Sequence, residues 1–509
     1  MILRSSGVLL PISSLPGPYG IGLFGEEAVT FAKRIRQAGF TYWQVLPFSE
    51  PGDGDSPYQS ISAYAGNSLF IDPRQLRAEG LLTDSELEDA VYPGPDYAAD
   101  YSYAAANSNR FLRLAFSRRT PELIKEIRAF ADRTDWLKDV ALFLAVRERY
   151  ANKPWWEWPD EKLRLHEEDA VKRAREELED EVLFFCYVQF EFSRQWFRLK
   201  SRINQLGIRI IGDLPIYVSA DSADVWANSR LFQMKEDRTF ARVAGVPPDY
   251  FCEDGQLWGN PLYDWSTHAK EGYTWWLQRL AVNFSLFDIV RIDHFRGFSS
   301  YWSVDSAETT ARKGFWAEGP GMDLFRKVAE FYPDAPIIAE DLGDIDDGVR
   351  TFLSASGFPG MRVLQFAFDP VSDSTHLPHN YERNTVAYSG THDNNTLLGW
   401  LWDASESERE FALSYCGIPD VDWGVGGVTS PGCRGILRTL FGSHASLVVT
   451  PIQDLLGYGK DTRMNIPGKP SGNWTFRVTR EGLNALDLPW LLSLNRLYRR
   501  ENSEGDGEL

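Results

Sequence analysis

Eight short apolar runs punctuate this 509-residue chain, and most of the stretches between them carry helical periodicity. The runs are GVLL (7–10), YWQVLP (42–47), IRIIGDLPIYV (208–218), FDIVRIDHF (287–295), APIIAEDLG (335–343), MRVLQFAF (361–368), NTVAYSGTHD (384–393) and ASLVVTPIQD (445–454). EEAVTFAKRIRQAG follows the first, TWWLQRLAVNF precedes the fourth, MDLFRKVAEFY precedes the fifth and RGILRTLFGSH precedes the eighth. Strand–helix alternation repeated this often predicts an α/β fold, a parallel (β/α)8 TIM barrel, rather than an antiparallel sandwich. An open doubly wound sheet is the alternative. It would carry a Gly-rich phosphate turn after its first strand, and none stands there.

Spacing between the runs is uneven. About 160 residues separate the second run from the third, far more than one βα unit needs. We read residues 50–205 as mainly helical insertion, including SNRFLRLAFSRR, TDWLKDVALFLAVRERY and a charged helix from about 160 to 206. A second insertion, 219–275, lies between the third and fourth strands, and residues 1–509 form one elaborated barrel. The run DEKLRLHEEDAVKRAREELEDE reads as a solvated helix face with i,i+4 pairs.

A formal charge of −19, from 53 basic and 72 acidic side chains, opposes nucleic acid and anionic membranes and favours a neutral partner. Aromatics reach 14%, with 18 Trp. Trp226, Trp258, Trp265 and Trp474 lie in polar, Gly/Pro-rich stretches, where a flat platform for a sugar ring competes with core filling. The four Cys (186, 252, 416, 433) form no CxxC or zinc spacing, and no disulfide is expected. No run approaches the roughly 18 apolar residues of a membrane span, and the N-terminal apolar stretch is short for a secretory signal. The expected compartment is the cytoplasm. Acids spread over separate strands without a calcium loop imply no metal, and no cofactor motif is present.

Three acids stand at the ends of apolar runs, where a parallel barrel presents its catalytic groups: Asp293, Glu340 and Asp393. Alternation along FDIVRIDHF puts Arg291 and Asp293 on one face, either as a structural ion pair inside the barrel or, as the strand-end position favours, with the guanidinium keeping the carboxylate ionised and oriented as a nucleophile requires. Glu340 ends its strand on the inward face, where poor solvation raises its pKa towards that of a general acid, while Asp341 points away and braces the following loop. Asp393, beside His392, is a natural acceptor for two neighbouring sugar hydroxyls, or the centre of an Asx-stabilised turn. Asp213 is either an inner-wall hydroxyl ligand or part of the barrel's polar network.

VRIDHFRG, AEDLG, GTHDN and GDLPIYV together resemble the four signature strand regions of the α-amylase clan. GVLLPISSLPGPYGIG, YWQVLPFSEPGDGDSPYQSISAYAGN, AGVPPDYFCEDGQLWGNPLYDW and RMNIPGKPSGNW narrow this to a resemblance, from residue 6 to about 500, to 4-α-glucanotransferases of the amylomaltase type, glycoside hydrolase family 77. The resemblance implies an eight-fold barrel with inserted subdomains and no C-terminal β-domain. It implies Asp293 as nucleophile, Glu340 as general acid/base and Asp393 as transition-state stabiliser. Arg291, His294, His392 and Asp213 then surround the sugar at the cleavage point, and Tyr58 lies near the donor sugars. Asp249, Gln256 and Trp258 fall on a loop covering the acceptor side, with Asn465 a further contact.

The implied reaction transfers α-1,4-glucan segments between maltodextrins by a retaining double displacement, with carboxyls about 5–5.5 Å apart, and can close cyclic glucans. A mainly hydrolytic amylase-type enzyme and a non-catalytic glycan-binding barrel are the alternatives. Oligomeric state and preferred glucan length are not encoded in these motifs.

Overall fold

The computed structural model describes residues 2–50, 53–248, 253–343, 345–469 and 471–501. Its twelve strands are β1 (Ser5–Leu9), β2 (Tyr42–Gln44), β3 (Arg209–Pro215), β4 (Arg242–Val246), β5 (Gln256–Pro261), β6 (Ile289–Asp293), β7 (Ser300–Asp305), β8 (Gly314–Glu318), β9 (Ile337–Ala339), β10 (Gly360–Val363), β11 (Thr385–Tyr388) and β12 (Leu447–Pro451). Eight form one parallel sheet in the order β10-β11-β12-β1-β2-β3-β6-β9. These are the eight apolar runs; β1 begins two residues before its run, and the other seven strands are shorter than theirs. Strands β1, β11 and β12 are buried at every residue, which explains why they read as unbroken apolar segments.

The two ends of that order meet. Ala339 N donates to Pro359 O at 2.9 Å. Asp341 accepts Met361 N at 2.5 Å and Arg362 Nη1 at 3.0 Å. Asp341 thus turns away from Glu340 and ties β9 to β10, bracing the closure of the barrel rather than only a loop.

Helices form the outer shell. Glu26–Gln37 shows why: Ala28, Val29, Phe31, Ala32 and Ile35 are buried along one stripe. Its acids Glu26 and Glu27 sit in the first turn and Arg34 and Arg36 in the last, each matched to the helix dipole. Between β2 and β3 run the helices Tyr101–Ser117, Pro121–Asp132, Leu137–Arg149 and the 27-residue Glu179–Gln205, among shorter ones. The long helix has two duties. It packs on Pro121–Asp132 and Leu137–Arg149 and also on Glu26–Gln37 and β3. Its Trp196 lies against Phe24, with ring centroids 5.0 Å apart. It is therefore the crossover helix that delivers the chain to β3 as well as part of the 50–205 insertion.

A second sheet was not foreseen. Strands β5-β4-β7-β8 form it, all antiparallel, two from the segment after β3 and two from the segment after β6. Its own small core is Val243, Val304 and Ala311 with Phe240, Leu257 and Trp302. Because β3 and β6 both end where the candidate site begins, this sheet stands beside that site. Past β12 the described residues form helices and loops, with no further strand and no C-terminal β-domain. No helix of the described residues is long and apolar enough to cross a membrane.

Candidate active site

Strand register places the acids. Ile292 of β6 pairs with Ala339 of β9, so Asp293 and Glu340 are the next residues on adjacent staves, about 4.8 Å apart in strand spacing. Glu340 N donates to Ile292 O and Phe295 N to Glu340 O, both at 3.0 Å.

Inside the barrel, Arg291 bridges two carboxylates, donating to Asp293 Oδ1 at 2.8 Å and to Asp213 Oδ2. Asp213 lies on β3, where its register partner is Arg291 itself. Tyr58 OH donates to the same Asp213 oxygen at 2.7 Å. Asp213 therefore belongs to the polar network of the inner wall, and burial raises its pKa although Arg291 opposes this. Asp293 has a side chain that is 29% exposed, open enough to meet a ligand while Arg291 fixes its other oxygen.

Glu340 is more enclosed. Its Oε2 accepts His294 N and its Oε1 accepts Leu342 N, each at 2.7 Å. Burial and then the negative charge of Asp293 push its carboxyl up to about 8, against Arg291 and these two amides. At neutral pH it carries a proton beside the more open, Arg291-held side chain of Asp293.

The donor from His294 depends on an uncommon backbone. His294 is left-handed, with φ 53° and ψ 47°, a conformation that costs a residue with a side chain about 1–2 kcal/mol. Strand alternation alone turns this side chain away from Asp293. The left-handed turn breaks the alternation and brings the imidazole edge-on to Trp258, centroids 4.9 Å apart. Burial and then Arg296 lower the His294 pKa to about 3, so the ring is neutral.

Across the cleft, Asp393 follows β11 on a loop. Asn465 Nδ2 donates to its Oδ1 at 2.6 Å, Arg463 Nη2 to its backbone oxygen at 2.9 Å, and His392 Nε2 lies 3.3 Å from its Oδ2. Burial opposes ionisation of Asp393, but His392 and the Asn465 amide outweigh it and bring the pKa down to about 2. Its side chain stays 45% exposed, an ionised group facing open space. His392 stacks on Tyr58 at 5.0 Å, which links this wall back to Asp213.

One cleft is lined by Tyr58, Gln256, Trp258, Asp293, His392, Asp393 and Asn465, so the structure gathers most of the expected residues. Glu340, Asp213, Arg291 and His294 join them through the bonds above. Asp249, and Cys252 near it, lie outside the described residues. The same cleft is also lined by Tyr217, Asn260, Pro467 and Gly468, which no sequence signal singled out. Of the four Trp weighed as platforms, Trp258 and Trp474 line it. Trp226 does not: it is fully buried, with Nε1 donating to Leu163 O at 2.8 Å. Trp265 packs among Tyr263, His268, Trp276 and Phe298, so it too is core. Among the described residues no group of three or more His, Cys, Asp or Glu is arranged to hold a metal.

Comparison with known proteins accounts for this arrangement. The family model for 4-alpha-glucanotransferase matches residues 10–483. A 4-alpha-glucanotransferase of Thermus thermophilus is 44% identical over 93% of this chain and 95% of its own length. One from Streptococcus pneumoniae (strain ATCC BAA-334 / TIGR4) is 42% identical over 98% of both. The amylomaltase of Streptococcus agalactiae, solved in complex with acarbose, superposes with a TM-score of 0.93 at 38% identity, covering 98% of this chain and all of that one. On these matches the chain belongs to the 4-alpha-glucanotransferase family, glycoside hydrolase family 77, and is an enzyme of the amylomaltase type.

Proposed function

We propose that this enzyme moves α-1,4-glucan segments between maltodextrins by a retaining double displacement through a covalent glucosyl-enzyme. The observation that carries the reading is the pairing of Asp293 and Glu340 on adjacent staves, one open and held by Arg291, the other enclosed and raised to about 8. Adjacent staves favour the close carboxyl spacing of retaining enzymes over the roughly 6.5–9.5 Å of inverting ones.

Asp293 attacks the anomeric carbon while the bond from that carbon to the glycosidic oxygen breaks, and the Glu340 proton goes to the departing 4-oxygen. Glu340, now a carboxylate, takes the proton of an incoming 4-hydroxyl as that oxygen displaces Asp293. Asp393 accepts from sugar hydroxyls, and its bonds strengthen as the ring flattens towards an oxocarbenium state. Neutral His294 and Tyr58 complete the grip on the reacting sugar. The S. agalactiae relative was solved with acarbose, which supports a glucan-like occupant for the same cleft.

Transfer requires a sugar hydroxyl to outcompete water. A positioned hydroxyl gains an effective molarity of about 10⁵ M or more. The acceptor seat we assign to Trp258, whose ring on β5 lies beside His294 in the same cleft. Long donors whose own far end reaches the acceptor seat close into cyclic glucans. Incubation with maltotriose tests the assignment: glucose together with maltopentaose and longer chains is expected, whereas glucose and maltose alone would leave the hydrolytic alternative standing.

A further inference from the structure

The eighth apolar run also ends on an acid, which the structure places in the short helix Ile452–Leu456 after β12 and out of the cleft. Asp454, just past β12, is 2% exposed. Its Oδ2 accepts Ser389 Oγ at 2.6 Å and its Oδ1 accepts Leu397 N at 2.7 Å. Those two donors are the two ends of one loop. Ser389 is the first residue after β11, Leu397 is the first residue of helix Leu397–Asp403, and between them lie His392 and Asp393. One side chain thus closes the base of the loop that presents Asp393.

The adjacent residue holds the opposite side. Gln453 Nε2 donates to Thr462 O at 3.0 Å, fixing the segment from which Arg463 reaches the Asp393 carbonyl and Asn465 its carboxylate. Both strands of chain that meet at Asp393 are therefore moored to the same turn after β12. The amide that Asp454 accepts belongs to a helix first turn, where orphan N–H groups and the positive end of the helix favour a carboxylate without a cation. Burial nonetheless pushes this carboxyl up to about 6, with the Ser389 and Leu397 bonds opposing.

We propose that Asp454 is a positioning residue for the reaction: by pinning Ser389 and Leu397 it sets where Asp393 and His392 stand relative to the sugar at Asp293. This rests on the function proposed above. It predicts a fault in turnover rather than in binding, because the grip of Asp393 matters most in the transition state.

The test compares Asp454→Ala, Asp454→Asn and Ser389→Ala with Asp393→Ala, reading kcat and KM for maltotriose disproportionation and the thermal midpoint. A displacement of about 1 Å at such a group costs on the order of 100-fold in rate. Asp454→Ala is expected to lose about that factor in kcat at nearly constant KM, at temperatures well below its midpoint. Asp454→Asn keeps an oxygen for Leu397 N, and its amide can donate to a rotated Ser389 hydroxyl, so it recovers most of the turnover. Ser389→Ala removes one mooring hydrogen bond and is expected to lose roughly tenfold, and it decides the matter if Asp454→Ala does not fold. An unchanged kcat in Asp454→Ala or Ser389→Ala, or a loss carried by KM, overturns the proposal. If Asp393→Ala keeps full turnover, the functional reading itself fails; if it is inactive while Asp454→Ala is not, only the positioning role fails.

Discussion

The backbone N–H of His294 donates to Glu340 Oε2 at 2.7 Å, so the residue that follows Asp293 on one stave holds the carboxyl that ends the next. The two acids cannot be moved independently. A left-handed residue at 294 makes that bond possible, and the turn that follows it, Phe295–Phe298, is buried at every residue.

Glu340 sets the alkaline limit of activity. It works as an acid only while protonated, and burial with the Asp293 charge raises it to about 8. The rate is expected to fall as pH rises through that value. The same shift has a stability consequence of the same sign: the folded state keeps a proton that the unfolded chain loses near the ordinary carboxylate value, so this contribution shrinks as pH climbs to about 8. Glu340→Gln is therefore expected to be nearly inactive and, having no proton to lose, to drop less in melting midpoint than the parent between pH 6 and pH 9, as calorimetry at both values would show.

Arg291 carries the ionic core of the site. It is 3% exposed between Asp213 and Asp293. Arg291→Ala leaves the buried Asp213 carboxyl without its guanidinium and frees the more open Asp293, and removing one partner of a buried pair costs about 3–5 kcal/mol. Denaturant titration should register a loss of that size along with loss of turnover, and Arg291→Lys should restore stability better than activity, since it cannot bridge both carboxylates with a planar fork.

Trp226 separates core from cleft. Its ring lies between Phe143, Trp158 and His166 and is fully buried. Trp226→Ala should destabilise the fold by about 3–5 kcal/mol, with KM for maltotriose unchanged. Trp258→Ala should do the reverse, leaving the thermal midpoint nearly unmoved while raising KM for the acceptor. A raised KM in Trp226→Ala would return that residue to the cleft.

The barrel was legible because its strands are buried at nearly every residue, which leaves mostly apolar segments in the sequence. The acids were legible because they close apolar runs: Asp293 ends β6, Glu340 directly follows β9, and Asp393 lies five residues past β11 on a loop. The second sheet was not, for a physical reason: β8 is exposed or half-buried at every residue, and the sheet draws on two segments separated by a barrel strand. Period-two patterning is weak in such a strand. The ring of His294 beside Trp258 likewise follows from one φ angle that alternation does not reveal. Trp226 and Trp265 misled because polar neighbours in sequence need not be neighbours in space. Asp454 had the same strand-end signal as the three cleft acids, and only its hydrogen bonds tell its role apart.

In the proposed reaction Asp293 becomes bonded to the sugar while Glu340 moves the proton. In Glu340→Gln an activated donor that needs no acid, α-maltotriosyl fluoride, should still load the nucleophile but discharge it slowly. Peptide mass spectrometry of that mixture is predicted to show a maltotriosyl adduct on the peptide containing Asp293, absent in Glu340→Gln/Asp293→Ala. A sugar carried by a different residue, or fluoride released with no protein adduct and inverted product, would contradict the account.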